Sequence, residues 1–293
     1  MNQPLDPSRR HTDAPAPIPD APGTGAATDA LTPAALQRHL RAAVFGHRIF
    51  YYPTIDSTND RALELAAAEE PEGSLVLAEE QTAGRGRRER SWSSAPYAGI
   101  YASLILRPAI AAPRAPLLTF MAAVAVADAL NEVAGLRARI KWPNDVLIGR
   151  RKIAGVLGEM RGSHPEVREM VVGIGINVNQ TETDFPATLA SIATSVRIER
   201  GVPQDRAVLL ASVLEGFERR YARLLRDGPA TLLREWEALS SMPVGGAIAV
   251  GGPAGRLDGE FTGIDEDGSL VVRTHEGALH RLPFGEILDT LLP

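Results

Sequence analysis

The chain has 293 residues, a formal net charge of −5, 44% hydrophobic and 23% charged residues, which fits an ordinary soluble globular protein of one large or two moderate domains. The acidic balance disfavours a general nucleic-acid binder, and the absence of cysteine excludes disulfides, thiolate metal ligands and a cysteine nucleophile. No uninterrupted apolar run approaches the ~20 residues that span a membrane, and no signal pattern opens the chain, so we expect no membrane partner and a cytoplasmic location.

The N-terminal segment, residues 1–30, is rich in Pro, Ala, Asp, Gly and Thr and has almost no large apolar residues. Such a segment cannot bury enough surface to offset its ordering entropy, which predicts a disordered tail. Thr32 as a cap and Pro33 at the first helical position then predict a helix that runs to about Val44. The region is too short for a winged-helix DNA-binding domain.

A predicted strand at residues 49–52 leads into Ser57, Thr58 and Asn59, which precede a helical run at residues 61–68. Ser, Thr and Asn are the residues that usually cap a helix N-terminus. Their spare hydroxyl and amide groups can instead meet a polar ligand beside the positive end of the helix. These residues alone leave both interpretations open.

A basic loop, residues 81–92, follows a predicted strand at residues 74–78. Four arginines and two glycines lie within ten residues of this loop. Glycine allows the backbone to approach a ligand closely, and arginine presents planar donors that match phosphate or carboxylate. The pattern predicts an anionic small ligand; a solvated turn or a nucleic-acid contact is the alternative.

Two lysines flank a turn in the next part of the chain. After a strand at residues 99–106 and a buried helix from Leu117 to Val133, the run Lys141-Trp142-Pro143-Asn144-Asp145 predicts a strand and a turn, and a second strand leads to Lys152. We expect Lys141 and Lys152 on neighbouring strands near the same turn. Either both face solvent, or both are half-buried and need an anionic partner.

Strand alternation at residues 172–179 separates an apolar face from a face of small and amide residues. The second face carries Gly173, Gly175, Asn177 and Asn179. Bare glycines weaken a strand unless something fills the space above them. A flat ligand such as a purine or a fused ring is the predicted occupant.

The pattern is helical from Pro186 to Leu239, and beyond Pro243 short strands alternate with turns, which is typical of a small barrel. We therefore place a domain boundary near residue 242. The predicted units are a tail at 1–30, a catalytic domain at 31–242 and a C-terminal domain at 243–293.

These motifs together resemble the biotin–protein ligase family, in the family order and at family-like spacing over about residues 48–180. The closing Gly285-Glu286-Ile287 resembles that family's C-terminal domain. The motifs that carry the resemblance are Ser57-Thr58-Asn59, the loop from Gln81 to Trp92, Lys141-Trp142-Pro143-Asn144-Asp145, Lys152-Ile153-Ala154-Gly155 and Gly173-Ile174-Gly175-Ile176-Asn177.

The resemblance implies an α+β fold: a catalytic domain related to class II aminoacyl-tRNA synthetases, with a mixed sheet, and a small SH3-like all-β C-terminal barrel. It implies an ATP-dependent ligase that uses Mg²⁺, activates biotin to biotinyl-5′-AMP and transfers biotin to a lysine. The acceptor lysine would lie on a biotin carboxyl carrier domain of a carboxylase.

The resemblance also assigns site residues, motif by motif. Lys152 and Arg87 match the catalytic positions, and Asp145 matches the magnesium side. The biotin-binding positions are Ser57, Thr58, Asn59, Gln81, Gly84, Arg85, Gly86, Arg87, Lys152 and Gly155. The ATP-binding positions are Arg85, Arg87, Trp92, Lys141, Asn144, Asp145 and Asn177.

Two departures from the family pattern carry further expectations. The missing winged helix predicts a monofunctional ligase without repressor activity or a nucleic-acid partner. Glu89 stands where the family pattern has glycine, and we expect it to pair with a neighbouring arginine and to loosen loop closure.

Two rival functions stay in view: a lipoate–protein ligase, which shares the fold and chemistry, and a biotin-sensing or nucleic-acid-binding protein on a ligase scaffold. A homodimer through an exposed sheet edge is possible by fold alone.

Overall fold

The computed structural model describes residues 30–160, 165–252 and 255–291. The predicted disordered tail, apart from Ala30, lies outside these residues. The elements in chain order are α1 (Pro33–Gln37), β1 (Ile49–Tyr52), α2 (Thr58–Ala67), β2 (Leu75–Ala78), β3 (Gly99–Leu106), α3 (Pro116–Ala134), β4 (Ala138–Lys141), β5 (Asp145–Ile148), β6 (Arg151–Met160), β7 (Met170–Asn177), α4 (Val196–Arg200), α5 (Arg206–Asp227), α6 (Ala230–Leu239), β8 (Ala247–Gly252), β9 (Gly255–Ile264), β10 (Leu270–Arg273), β11 (Leu279–Leu282) and β12 (Glu286–Leu291).

A seven-stranded mixed sheet forms the larger part of the structure, in the order β1-β2-β3-β7-β6-β5-β4. Strands β1 and β2 are parallel, and the other neighbours are antiparallel. Helix α2 packs on the central strands β3 and β7, whereas α3 packs on β4 and β6 and against α5. The predicted mixed sheet is confirmed.

Helix α3 is buried almost all round, because its alanine-rich sequence lets the sheet and helices approach it closely. Together with the short turn before it, α3 forms a 23-residue segment, Ala112–Ala134, that is long and apolar enough to cross a membrane by length and composition alone. The structure buries 72% of its most apolar window, with Phe120 stacked on Trp236 at 5.1 Å. The segment is a core helix of the described protein.

The first helix is shorter than predicted. It ends at Gln37 rather than near Val44. Glu218 on α5 accepts the backbone N–H groups of Ala43, Val44 and Phe45, at 2.6 to 3.0 Å. A carboxylate that binds three successive N–H groups offers the backbone an alternative to helical hydrogen bonds.

Two details of the strands also differ from prediction. Lys141 and Lys152 do not lie on neighbouring strands, because β5 runs between β4 and β6. Strand β7 ends at Asn177, and the amide of Asn179 instead exchanges hydrogen bonds with the backbone of Gln204. Asn179 therefore does not extend the glycine face.

The C-terminal strands form a five-stranded antiparallel sheet in the order β11-β10-β9-β8-β12. Its core is continuous with that of the larger sheet, and Trp142 Nε1 donates to the carbonyl of Gly268 across the junction at 3.2 Å. The ring of Trp142 also lies against Gly285, just before β12, where an added Cβ would come within 3.2 Å of it. Closure of the small sheet into a barrel and the boundary at residue 242 stay predictions.

Candidate active site

A cavity of about 460 Å³ opens between the basic loop, the ends of β5, β6 and β7, and the start of β12. Its volume is in the range of small-molecule sites. Every site residue that the resemblance assigns lines it, except Gly84. The lining includes Ser57, Thr58, Asn59, Gln81, Arg85, Gly86, Arg87, Trp92, Lys141, Asn144, Asp145, Lys152, Gly155, Asn177 and Glu286.

Gly84 lies below the cavity, at the base of the loop. Its carbonyl accepts the backbone N–H of Trp92 at 2.8 Å, and an added Cβ would come 2.7 Å from the carbonyl oxygen of Trp92. The glycine is required for this close approach of two backbones. The structure thus places Gly84 in the support of the loop, away from a ligand.

One end of the cavity is a network of buried polar side chains. Thr58 donates to the amide oxygen of Gln81 through both its backbone N–H (2.9 Å) and its hydroxyl (3.0 Å). The hydroxyl of Ser103, on β3, lies 2.8 Å from that of Thr58 and 2.6 Å from Asn59 Oδ1. Only Ser57 acts as the helix cap, accepting from the N–H of Asp60. The capping alternative therefore holds for Ser57, whereas Thr58 and Asn59 face the cavity.

The glycine face of β7 is covered by side chains of the protein itself. A Cβ at Gly173 would lie 2.1 Å from Asn59 Oδ1, and one at Gly175 would lie 2.7 Å from the indole of Trp92. Gly155, on β6, is equally close to Trp92 and Lys152. Asn59 and Trp92 thus occupy part of the space over this face, while Gly173 and Gly175 also line the cavity, and a flat ligand beside them stays a prediction.

Lys152 lies in the centre of the site. Its ammonium is 2.6 Å from Asp145 Oδ1 and 5.4 Å from the ring centroid of Trp92. The backbone of Lys152 is fixed on both sides, by the carbonyl of Ile192 and the N–H of Thr194. The side chain is 35% exposed, so it can exchange Asp145 for an anionic ligand without moving the strand.

The basic loop is a tight hairpin. Arg85 pairs with Ser91 across it, and the N–H of Arg90 donates to the carbonyl of Arg87 at 3.2 Å. Arg88 and Glu89, between them, have φ values of +55° and +59°, as the central positions of a type I′ turn require. Glycine at position 89 would meet this geometry without strain, and glutamate costs roughly 1 kcal/mol there.

The expected pairing of Glu89 with a neighbouring arginine is wrong, since Glu89 forms no ion pair within the described residues. The carboxylate that pairs with the arginines of the loop is instead Glu286 of the C-terminal sheet. It accepts from Arg90 at 2.7 and 2.8 Å and from Arg88 at 3.0 Å. The hydrogen bond from Arg90 holds the pKa of the Glu286 carboxyl below its ordinary value of 4.5.

Arg87 points into the cavity and has no carboxylate partner among the described residues. It donates to Asn144 Oδ1 at 3.4 Å and to the carbonyl of Gly285 at 3.3 Å. Burial lowers the pKa of its guanidinium, and the neighbouring Arg88 lowers it further. A half-buried cation with only neutral hydrogen-bond acceptors among the described residues is suited to receive an anionic ligand.

Two amides at the same end hold the backbone. Asn144 donates to the carbonyl of Val156, and Asn177 donates to that of Thr194. Lys141 lines the cavity beside them and forms no direct ion pair in the described part of the chain, although its charge helps to lower the pKa of the Glu286 carboxyl. The site therefore contains two cations, Arg87 and Lys141, without an acidic partner there.

Sequence reasoning missed three groups. The first is Ser103, which lies in an otherwise apolar strand. The second is Glu159, which lies behind the residues that line the cavity and accepts from Asn59 and Arg85 at 2.7 Å each. The third group is an apolar wall on the segment between β7 and α4. Its members are Phe185, Leu189 and Ile192. The polar Ser103 within an otherwise apolar strand is a signal that could have been used.

No group of three or more His, Cys, Asp or Glu residues is placed to hold a metal ion in the described ranges 30–160, 165–252 and 255–291. Asp145 is a single hard oxygen donor beside the cationic end. Mg²⁺ is commonly bound by one or two carboxylates together with substrate phosphates, and Asp145 fits that use.

Several known proteins are similar to this chain in sequence. Residues 51–177 match the biotin/lipoate A/B protein ligase family, and residues 245–288 match the biotin protein ligase C terminal domain. The bifunctional ligase/repressor BirA of Bacillus subtilis is 42% identical over 238 residues, which cover 81% of this chain and 73% of that protein. The biotin--[acetyl-CoA-carboxylase] ligase of Paracoccus denitrificans is 40% identical over 226 residues, covering 76% and 92% of the two chains.

A solved structure of a biotin protein ligase has a similar fold. Biotin protein ligase from Aquifex aeolicus in complex with biotin and ATP superposes with a TM-score of 0.71 at 28% identity, covering 82% of this chain and 97% of that one. The chain therefore belongs to the biotin/lipoate A/B protein ligase family, and it is a biotin ligase enzyme.

Proposed function

We propose that this protein joins biotin to a lysine of a biotin carboxyl carrier domain in two steps, through biotinyl-5′-AMP. The observation that carries the proposal is the position of Lys152. It lies in one cavity between a neutral polar end and an end that contains two cations without acidic partners.

In the first step a biotin carboxylate oxygen attacks the α-phosphorus of ATP, an O–P bond forms and pyrophosphate leaves. Both reactants are anionic, so catalysis depends mainly on charge neutralisation and positioning. Lys152 exchanges Asp145 for the carboxylate and the reacting phosphate, and the desolvated Arg87 binds the same charge from the other side.

The two ends of the cavity match the two substrates. The ureido ring of biotin offers N–H donors and a carbonyl acceptor, which suit Thr58, Gln81 and Ser103. The adenine ring packs on the apolar wall of Phe185, Leu189 and Ile192. Lys141 lies at the cationic end for the phosphates.

In the second step the acceptor lysine, as a neutral amine, attacks the acyl carbon of the adenylate. An amide bond forms, the acyl–oxygen bond breaks and AMP leaves. The exposed face of Lys152 and the cavity opening beside it give an incoming chain access.

Mg²⁺ would be held by Asp145 and the phosphates, and its chemistry there is neutralisation of phosphate charge. The side chain of Asp145 already lies at the cationic end, paired with Lys152.

Several finer features belong to the same proposal. A catalytic domain related to class II aminoacyl-tRNA synthetases, an SH3-like C-terminal barrel, a cytoplasmic location and a possible homodimer follow from the resemblance. We also propose a monofunctional ligase without a repressor role. The acidic net charge supports this, whereas the Bacillus relative is bifunctional. Salt-dependent DNA binding at micromolar protein concentration would count against it.

The test of substrate identity is ATP–pyrophosphate exchange with biotin and with lipoate. We expect exchange with biotin only, followed by transfer of biotin to a purified carrier domain. Exchange with lipoate only would assign the chain to the lipoate branch of the family, and exchange with neither acid would contradict the proposed reaction.

A further inference from the structure

Glu159, on β6, contacts two residues of the site, Asn59 and Arg85. Its Oε2 atom accepts from Asn59 Nδ2 and from Arg85 Nη2, both at 2.7 Å. Asn59 and Arg85 line the cavity, whereas Glu159 lies behind them. The carboxylate therefore acts through its two neighbours and does not itself contact a bound substrate.

The first neighbour is held in one orientation. Asn59 is 5% exposed, and Ser103 lies 2.6 Å from its oxygen on the side away from Glu159. A carboxylate only accepts hydrogen bonds, so the amide nitrogen must face Glu159 and the oxygen must face Ser103. Gly173 leaves the space for this arrangement, because a Cβ there would overlap the amide.

The second neighbour is held by one nitrogen. Arg85 Nη2 contacts both Glu159 Oε2 (2.7 Å) and Asp60 Oδ1 (2.6 Å). Its Nη1 and Nε atoms have no acceptor in the described part of the protein. Because the guanidinium is a rigid plane, fixing one nitrogen orients the other donors. They are left for an anionic ligand.

We propose that Glu159 is a positioning residue for biotin recognition. It presents the Asn59 amide and the Arg85 guanidinium as one unit, so that the head group and the acid end of biotin are recognised together. This inference rests on the proposed function. The proposed role distinguishes Glu159 from Asp60, because Asp60 pairs with Arg85 but does not contact Asn59.

The test is steady-state exchange kinetics on Glu159→Gln, which replaces the carboxylate with an amide of nearly the same size. Both contacts are to Oε2, so the amide oxygen of Gln can still accept from Asn59 and Arg85, but the negative charge is removed. We expect the KM for biotin to rise about tenfold, equal to about 1.4 kcal/mol, because both hydrogen bonds lose their charge assistance. The KM for ATP and the thermal midpoint of unfolding should change little.

Two further variants isolate the cause. Asp60→Asn removes the charge from one contact of Arg85 alone, and we expect the KM for biotin to rise less than threefold. Glu169→Gln is the matched control: its carboxylate is 18% exposed, against 23% for Glu159, and it pairs with Arg107 away from the cavity. This control should leave the KM for biotin unchanged.

A folded Glu159→Gln protein whose KM for biotin stays within twofold of wild type overturns the inference, as does an equal rise in the KM for ATP. If that variant does not fold, Glu159→Asp is judged by the same criteria, since it keeps the charge but withdraws the carboxylate by one methylene. Absence of biotin-dependent exchange in the wild type would instead refute the proposed function.

Discussion

The two ends of the cavity are built on different electrostatic principles. At one end Thr58, Asn59, Gln81 and Ser103 are neutral, mostly buried and hydrogen-bonded to each other, and Asn59 also donates to Glu159 behind them. At the other end the cations are partnered by carboxylates from other elements, or by neutral groups alone. A neutral network keeps its geometry when the ligand leaves, whereas ion pairs can be exchanged for phosphate. The first end therefore selects, and the second end reacts.

Among substitutions that test this contrast between the two ends of the cavity, we expect the largest loss of activity at Arg87. Arg87→Ala should lower kcat/KM for ATP about 100-fold, because it removes a desolvated cation aimed at the reacting charge. The KM for biotin should change far less. Exchange kinetics at varied ATP and biotin measure both quantities.

The control for Arg87 is Arg226→Ala, which removes an exposed arginine that pairs with the adjacent Asp227. It should leave all constants unchanged. Equal rises in both KM values for Arg87→Ala would contradict a division of labour between the two ends.

The next effect is at the polar end. Ser103→Ala should raise the KM for biotin about tenfold and leave the KM for ATP nearly unchanged, because Thr58 and Asn59 lose a shared partner. Ser74→Ala is a matched control, since Ser74 is also buried but its hydroxyl has no hydrogen-bond partner among the described residues. If both variants shift the KM for biotin alike, the network has no special role.

A smaller effect is expected at the link between the loop and the C-terminal sheet. Glu286→Gln should raise the KM for ATP about threefold and speed trypsin cleavage after Arg88 or Arg90, because partly exposed ion pairs contribute little individually. Glu276→Gln, in an exposed turn of the same sheet, is the control. Unchanged cleavage would show that Glu286 does not hold the loop.

The same link has a pH dependence of known sign. The folded state holds the pKa of Glu286 below 4.5, so its contribution to stability is present above pH 4.5 and is lost as pH falls through the lowered pKa. Acceleration of loop cleavage by an acid-tolerant protease below about pH 4.5 should occur in the wild type. In Glu286→Gln, cleavage should already be fast at neutral pH.

The smallest effect is at the turn. Glu89→Gly should stabilise the protein by up to about 1 kcal/mol and slow dissociation of the adenylate, because the position has a φ of +59°. Glu69→Gly is the matched control, with a φ of +62° outside the site. Thermal unfolding should shift similarly in both, but adenylate dissociation should change only for position 89.

Most members of the cavity could be predicted from the sequence because its motifs resemble those of the biotin–protein ligase family, whose site residues they match. The partners of the loop could not. Glu286 lies 196 residues from Arg90, and Glu159 lies 74 residues from Arg85. Only the folded chain shows which carboxylate reaches which arginine. The non-helical backbone from Ala43 to Phe45 was missed for the same reason, since its N–H groups bind the distant Glu218.

The glycine face of β7 shows a second limit. Its alternation correctly predicted empty space above Gly173 and Gly175, but periodicity does not say what fills that space. The indole of Trp92 and the amide of Asn59, both from distant segments, fill it. Trp92 thereby lies beside Lys152, between the two ends.

Single-turnover formation of biotinyl-5′-AMP by Lys152→Ala, with biotin binding measured in parallel, tests the division between a selecting and a reacting end most directly. We predict that biotin binding weakens less than tenfold, while adenylate formation falls at least 100-fold. Loss of biotin binding in proportion to the loss of rate would contradict the account, because Lys152 would then serve binding and not reaction.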